Sequence, residues 1–522
     1  MEQIQIQTVD TAILAGYFFV TLWIGFFVSK RTRTGADLFL AGNKLGWAAI
    51  GLSLFASNIS TSTLIGLTGQ AYLTGISISN YEWMATLVLI FITIFVVPVY
   101  IKNKIKTVPE YLELRFNTFC RKYYSATTVV LTILVDISSS LFAGALAINL
   151  FYPQVSIGLA CYLIAIFCGI YTAAGGLAAV VYTDVLQTVV LLLASSIVLF
   201  ATLGQFGFSW GEAMASLPAA HTSLIRPIDD PTLPWLGTLI GLPILGFYYW
   251  GTNQYVVQRI LGAKSLEAAR WGTLFGGSLK LSTLFLIAIP GALAFQIFPG
   301  MSDSDRIFPT MLVELLPPGV LGLALAGLLA AIMSSVDSAL NASSSLIVLD
   351  FIQPAKPNLS DKKLMKYGQY TILLIMIIAG IWAPYIEDFS GLFNYLQLLL
   401  SYAVPPVVVV FLSGLFWNKA SGIAASITLI VGHSISFMAF LLQVNDLLPI
   451  HFTIMAGLLT LVCSAICIAA NLYYPSSERV ASALLSTETL KRDSSPVSWY
   501  MDYRCVAVIL VLLTAGVVFA YW

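Results

Sequence analysis

Residues 47–76 read WAAIGLSLFASNISTSTLIGLTGQAYLTGI, an apolar stretch seeded with glycines, hydroxyls and Asn58. As one continuous helix it would be roughly 45 Å long, against a hydrocarbon core of about 30 Å. It is therefore expected to tilt or to break. The run Ala56-Ser57-Asn58-Ile59-Ser60 is the expected break, because Ser and Asn compete for backbone hydrogen bonds and Gly66 and Gly69 follow. Unwound backbone at membrane depth survives only where protein buries it or a cavity receives it, and there its free carbonyls can hold a cation. The same small residues would equally let a second helix approach closely, so both roles stay open for this stretch taken alone.

Composition places the whole chain in the membrane. Of 522 residues, 58% are hydrophobic and only 10% charged, which predicts an all-α integral membrane protein. The formal net charge is zero, so a basic nucleic-acid footprint is absent. The first apolar stretch follows Glu2 and Asp10 and precedes Ser29-Lys30-Arg31; it reads as a retained helix, not a cleaved signal. The six cysteines suggest neither a disulfide framework nor a zinc spacing.

About fourteen apolar runs are long enough to span: 11–29, 47–76, 80–101, 125–152, 155–173, 183–205, 235–258, 272–298, 319–350, 367–385, 393–416, 421–441, 448–472 and 504–522. With the N-terminus outside, all 25 Lys and Arg except Arg226, Arg306 and Lys280 fall in alternate, cytoplasmic loops. Both termini are then expected on the outer side of the plasma or inner membrane. Two outer segments, 206–234 and 299–318, are long enough for short surface helices and read as lids, and 475–500 reads as a cytoplasmic linker. A second interrupted span begins at Trp235 and contains Gly241, Pro243, Gly246 and Gly251. Interruptions opening two halves point to inverted repeats around a midplane site. The expected layout is an extra helix at 11–29, five-helix repeats at 47–205 and 235–416, each opening on a broken helix, and three further helices within 421–522.

The ninth run is rich in hydroxyls. Ala331, Ser334 and Ser335 stand at i, i+3 and i+4, on one helix face. With free carbonyls at Ala56 and Ile59 they make a five-oxygen set suited to sodium, or else hydroxyl contacts between helices. Ionisable groups inside spans are costly and mark function by default. Glu82, Asp136, Lys280 and Asp337 are such groups. Lys280 could instead reach the inner interface, Glu82 could be interfacial, and Asp136 reads as structural. Asp184, at the inner start of the sixth run, could bias a cation together with Asp337 or could cap its helix. Tyr248, Tyr249 and Trp250 offer flat faces for a ring or a gate, and Gln397 offers an amide for a solute or for a neighbouring helix. His221, His433 and His451 are scattered, and neither H-E-x-x-H nor G-x-x-x-x-G-K-[ST] occurs, so an enzyme or an ATP-driven pump is not expected.

The stretches FLAGNKLGW (39–47), SLFASNIS (53–60), YEWMA (81–85), GGLAAVVYTDVLQT (175–188), YYWGTNQYVVQR (248–259), AKSLEAARWG (263–272), AAIMSSVDSALNASS (330–344), LFNYLQ (392–397) and FLSGLFWNKASG (411–422) resemble the solute:sodium symporters. Within that family the likeness is to the sodium/sugar cotransporters. The resemblance implies the inverted-repeat fold and coupled uptake of sodium and a small polar solute, most readily a sugar. It also implies a sodium site from Ala56, Ile59, Ala331, Ser334 and Ser335. Solute contacts from Thr63, Glu82, Lys280 and Gln397 are implied with it, Tyr249 as an inner gate and Trp250 beside it. Thr63 stands where such sugar transporters tend to carry Gln or His, and Gly246 where a bacterial galactose-type site has Asn. Both leave more room and fewer hydrogen bonds, so a polyol, sialic acid or another organic solute also fits. Asp337 stands where some relatives have Thr or Ala, which leaves a second cation site with Asp184 open. No cofactor, nucleic acid or obligate protein partner is implied beyond the solute, Na⁺ and the bilayer. A channel or membrane sensor would use the same spans without accumulating anything.

The loop charges generate a direct test. Single cysteines at Ser360 and Ser486 are expected to resist an impermeant thiol reagent applied outside intact cells, while one at Ser223 is expected to label; outside labelling at Ser360 would reverse the orientation.

Overall fold

The computed structural model describes residues 7–29, 35–388, 392–476 and 502–522; most of the expected linker at 475–500 lies outside them. Among the described residues the chain is helical without a strand, apart from one isolated bridge between Leu45 and Ala263. Ten helices among the described residues are long and apolar enough to cross a membrane, twelve if each of two bent pairs is one span. Helix is what hydrocarbon dictates, since no water is present there to satisfy stray N–H and C=O groups. Of the other expected runs, 155–173 contributes the shorter apolar helix Ile157–Ile170, and the run from Trp235 is irregular.

The first bent pair is Trp47–Asn58 with Thr61–Thr74, at 57°. The first helix continues through Ala56, Ser57 and Asn58, and the chain turns at Ile59 and Ser60. Ser60 is extended and caps the second helix, its hydroxyl accepting from Thr63 N at 3.2 Å. The Trp47–Asn58 helix lies tightly against Leu266–Lys280. A Cβ on Gly51 would come within 2.6 Å of the Phe275 ring, and one on Gly272 within 2.7 Å of Ile50. This close crossing brings the end of the second of these helices to the break.

The second bent pair, Tyr395–Ala403 with Pro405–Phe416 at 49°, was expected as one straight span. Pro405-Pro406 explains it: proline lacks the N–H for the helical ladder, and its ring clashes with the preceding turn. The run from Trp235 is interrupted, though not by its glycines and proline. Helical backbone passes through Gly241, Pro243 and Gly246, with π-helical turns at Gly237–Gly241 and Tyr248–Thr252. The break comes at Asn253, which is extended (φ −72°, ψ 119°) and caps the Gln254–Leu261 helix. Gly237 and Gly241 instead serve a contact, since a Cβ at either would lie 2.2 Å or less from Thr453.

Gly176 (φ +65°) separates the fifth and sixth spans, and the sixth runs Gly176–Gly204. Asp184 is therefore two turns inside a helix and fully buried, not a cap at its start. Three arginines expected among the cytoplasmic loop charges are buried as well. Arg259 is 0% exposed, and Arg115 and Arg270 are nearly so. Arg115 donates to the carbonyls of Gly414, Trp417 and Ala420, closing the end of the Pro405–Phe416 helix.

The segments 206–234 and 299–318 carry the short helices Trp210–Ser216, Ala219–Thr222 and Ile307–Leu315. They dock near the ends of the membrane helices. Asn80 Nδ2 donates to Leu224 O at 2.7 Å, Tyr72 OH to Phe298 O at 2.8 Å, and Asp305 accepts from Leu392 N at 3.1 Å.

Gly176 tests this turn. An alanine there would put Cβ 2.6 Å from Leu38 Cδ1 in a left-handed backbone conformation, which alone costs on the order of 1–2 kcal/mol. Gly176→Ala is expected to lower the melting temperature of the purified protein, whereas Gly16→Ala, with no atom within 4 Å, is expected not to. Equal melting of both variants would contradict the turn.

Candidate functional site

Breaking a helix frees carbonyls, and here those of Ala56, Ser57 and Asn58 each find a side chain. Ser60 N turns to Asn58 O (2.9 Å), so Ala56 O loses its helical donor. Ser334 Oγ takes it at 3.1 Å. Ser57 O accepts from the Tyr255 hydroxyl, and Asn58 O from Thr63 Oγ1 at 3.0 Å. The second helix starts its own ladder with Leu64 N to Ser60 O (2.9 Å), leaving the fully buried Ile59 between the two helices.

The facing helix, Val320–Leu346, is buried along almost its whole length. Ser334 and Ser335 both donate to Ala331 O, at 3.2 and 2.9 Å. Ala56, Ala331, Ser334 and Ser335 thus form a chain of oxygens about one hydrogen bond apart, all buried. Hydroxyl and carbonyl oxygens at such spacing are hard donors, the set that alkali and alkaline-earth cations prefer.

One turn inward lies a charged cluster. Asp184 Oδ2 accepts from Ser53 Oγ (2.5 Å), Ser57 Oγ (3.3 Å) and Arg259 Nη2 (3.3 Å). Arg259 also donates to Ser53 Oγ (2.7 Å), Tyr255 O and Ser338 Oγ. Asp337 accepts from Ser338 at 3.4 Å. Asp184, Asp337 and Arg259 are each 0% exposed; the guanidinium pairs with Asp184 directly and reaches Asp337 only through the Ser338 hydroxyl. Asp184 Oδ1 and Asp337 Oδ2 have no hydrogen-bond partner, an expensive arrangement for buried oxygens unless a cation completes it.

On the other side of the break is a polar cavity of about 120 Å³. Ser60, Thr63, Glu82, Asp136, Tyr249, Trp250 and Gln397 are among its walls. Glu82 is buried and paired with Lys280, which also donates to Asn58. Lys280 is 1% exposed. It neither reaches the inner interface nor lines the cavity; it stands behind Glu82 and Asn58 and holds both. Its ammonium lies 5.8 Å from the Trp250 ring centre, within cation–π range. Tyr249 meets Trp250 edge-on at 5.1 Å.

The structure therefore brings Thr63, Glu82, Trp250, Gln397 and Tyr249 to one cavity, with Lys280 behind it, and Ala56, Ala331, Ser334 and Ser335 to one neighbouring cluster. Asp136, expected to be structural, faces the cavity. Tyr255, Asn253 and Arg259 escaped the sequence reading as individual site residues. Their signal was present in YYWGTNQYVVQR, where an Asn, a Tyr and an Arg follow a broken apolar span.

Comparison with known proteins shows the family of the chain. Residues 38–432 match the family described as the sodium:solute symporter family. The chain is 33% identical over 480 residues to a sodium/glucose cotransporter 4 of Danio rerio, covering 84% of this chain and 72% of that one. It is 31% identical to a sodium/glucose cotransporter of Vibrio parahaemolyticus, covering 92% and 94%, and 34% identical to a human sodium/myo-inositol cotransporter 2, covering 79% and 66%. Its fold is similar to that of a substrate-bound, outward-open Na⁺-coupled sialic acid symporter, with a TM-score of 0.78 at 24% identity over 90% of this chain. A broken helix facing two serines beside a polar cavity, together with a family match across three quarters of the chain, means that this protein belongs to the sodium:solute symporter family.

Proposed function

We propose that the protein is a secondary active symporter that uses the inward sodium gradient to import a small neutral sugar by alternating access. The observation that carries this reading is the adjacency of two sites across one helix break. The oxygens of Ala56, Ala331, Ser334 and Ser335 lie on one side and the polar cavity on the other. Ile59 O completes the sodium set in this proposal. A cation bridging the break and the Val320–Leu346 helix replaces weak hydroxyl contacts with ionic ones, and so holds Ser60 and Thr63 where the solute meets them. Sodium and solute then favour the same conformation, which is the thermodynamic content of coupling.

In this reading Thr63, Glu82, Trp250 and Gln397 touch the solute, Lys280 fixes Glu82 and Asn58, and Tyr249 closes the inner side. Asp184 and Asp337 form a second cation position. The chain is read as fourteen spans in an inverted 5+5 arrangement, repeats at 47–205 and 235–416, with both termini on the outer side. A cyclic polyol is the second reading, favoured by the myo-inositol cotransporters among the relatives and by the room left at Gly246 and Thr63, which both line the cavity.

Purified protein in liposomes with an inward sodium gradient tests the function. Accumulation of a labelled sugar or polyol against its own gradient is expected, and equilibration without accumulation would instead indicate a channel.

The sodium set is tested separately. Ser335→Ala and Ser334→Ala are each expected to raise the sodium concentration for half-maximal uptake about tenfold or more, equivalent to about 1.4 kcal/mol. An unshifted sodium curve for both variants, normalised to folded protein, would leave these hydroxyls as helix contacts only. Gln397→Ala is expected to weaken solute affinity more than sodium affinity, because a site built to bond hydroxyls loses discrimination when one partner goes. Unchanged half-saturation for every accepted solute would remove Gln397 from the site.

A further inference from the structure

Asp136 is unaccounted for by the roles above. It belongs to the helix Thr118–Asn149, on a π-helical turn spanning Thr132–Ile137. A π turn inserts one residue into the helical ladder, at a cost in backbone bonding, and such turns concentrate where a side chain must be re-aimed. Hydroxyls steady the bulge. Ser138 Oγ donates to Ile133 O at 2.7 Å, and Ser140 Oγ to Asp136 O at 2.9 Å. Asp136, within the bulge, and Ser139 and Ser140, just beyond it, fall at i, i+3 and i+4, and all three line the cavity.

The charge balance of the cavity gives this residue a consequence. Its two wall carboxylates are Glu82 and Asp136. Glu82 is matched by Lys280. Asp136 takes part in none of the ion pairs found among the described residues. Its polar neighbours, Thr132, Asn253, Tyr248, Tyr249 and Tyr255, are neutral side chains. Among the described residues, the cavity therefore presents acceptor oxygens with a carboxylate in no ion pair, and no Lys, Arg or His lines its wall. A carboxylate-bearing solute brought there would meet like charge with nothing to offset it, whereas hydroxyl groups would find an acceptor.

Resting on the symport reading, we infer that Asp136 is a specificity-determining residue that accepts hydrogen bonds from a neutral polyhydroxylated solute and turns away solutes carrying a carboxylate. The solute class is thereby narrowed to sugars and polyols, and sialic acid and uronic acids are excluded. Asp136 lines the cavity and is not among the oxygens of Ala56, Ala331, Ser334 and Ser335, so the expected effects are on solute affinity and selectivity and not on sodium.

The test uses the full-length protein in liposomes under an inward sodium gradient, with glucose, galactose and myo-inositol as neutral probes, glucuronate and N-acetylneuraminate as anionic ones, and glucosamine as a cationic one. The parent is expected to accumulate at least one neutral probe, and a tenfold excess of either anion is expected not to compete. Asp136→Asn is expected to raise the half-saturation for the neutral probe about tenfold and to let glucuronate compete at least tenfold more strongly. Its sodium half-saturation at saturating solute should stay within twofold. Asp136→Glu is expected to keep the rejection of anions. Accumulation of an anionic probe by the parent overturns the inference without any variant. So does parental behaviour of Asp136→Asn on both readouts, or acceptance of glucosamine with refusal of every neutral probe. Failure of the parent to accumulate any probe with sodium overturns the symport reading itself, and the inference with it.

Discussion

Inside a bilayer a backbone carbonyl without a donor is expensive, and a membrane helix can be broken only where the surroundings supply what the ladder no longer does. At Ile59 and Ser60 this constraint organises the molecule. The carbonyls of Ala56, Ser57 and Asn58 are each met by a hydroxyl, from Ser334, Tyr255 and Thr63. Two of those hydroxyls come from helices far away in the chain. The break thus ties the Val320–Leu346 helix and the Gln254–Leu261 helix to one point, and places oxygens, already gathered, where a cation can exchange with hydroxyl protons as their partner.

Buried charge obeys the same economy. Glu82 and Lys280 are matched, and Lys280 also donates to Asn58. At the end of the Val320–Ala355 span, Asp350 collects Thr107, Ser125 and Arg121. Removing one member of such a set leaves its partner buried and uncompensated, which typically costs about 3–5 kcal/mol, more than the pair itself contributes. Against these balanced sets, the unpartnered oxygens of Asp184 and Asp337 and the unmatched Asp136 stand out. These three carboxylates lie on the two sides of the helix break, where a transported cation and a transported solute would each supply a partner. Outside that region the polar groups serve the fold, as where Asp10 caps the helix beginning at Val320 through Gly319 N and Gly322 N, both at 2.7 Å.

Much of this was readable before any coordinates because local chemistry dominates where the chain departs from helix. Ser-Asn-Ile-Ser in an apolar stretch competes with the ladder wherever it is placed, so the first break was legible to within three residues. The i, i+3, i+4 spacing of Ala331, Ser334 and Ser335 follows from helical geometry alone. Other features depended on neighbours. Gly241 and Pro243 look like breakers in isolation, yet the first lets Thr453 approach and the second is accommodated in a helix, while Asn253 makes the turn. Pro405 was passed over inside a strongly apolar run. Arg259 was taken for a loop cation because its position beyond Tyr255 implies an interface, whereas it is folded back onto Asp184.

The sequence by itself determined the class of the molecule: 58% hydrophobic residues with 10% charged ones can be satisfied only by spanning helices, and hydroxyls at helical spacing can be satisfied only on a shared face. Those are properties of neighbouring residues, and they hold in any tertiary context. Only the tertiary structure decided which polar groups face one another. Whether Lys280 meets Glu82 or the interface, whether Asp184 caps a helix or pairs with Arg259, and whether Asp136 looks into protein or into a cavity each depend on residues up to hundreds of positions apart. The physical reason is that pairing energies in a low-dielectric interior are set by distance in space, about which spacing along the chain says nothing.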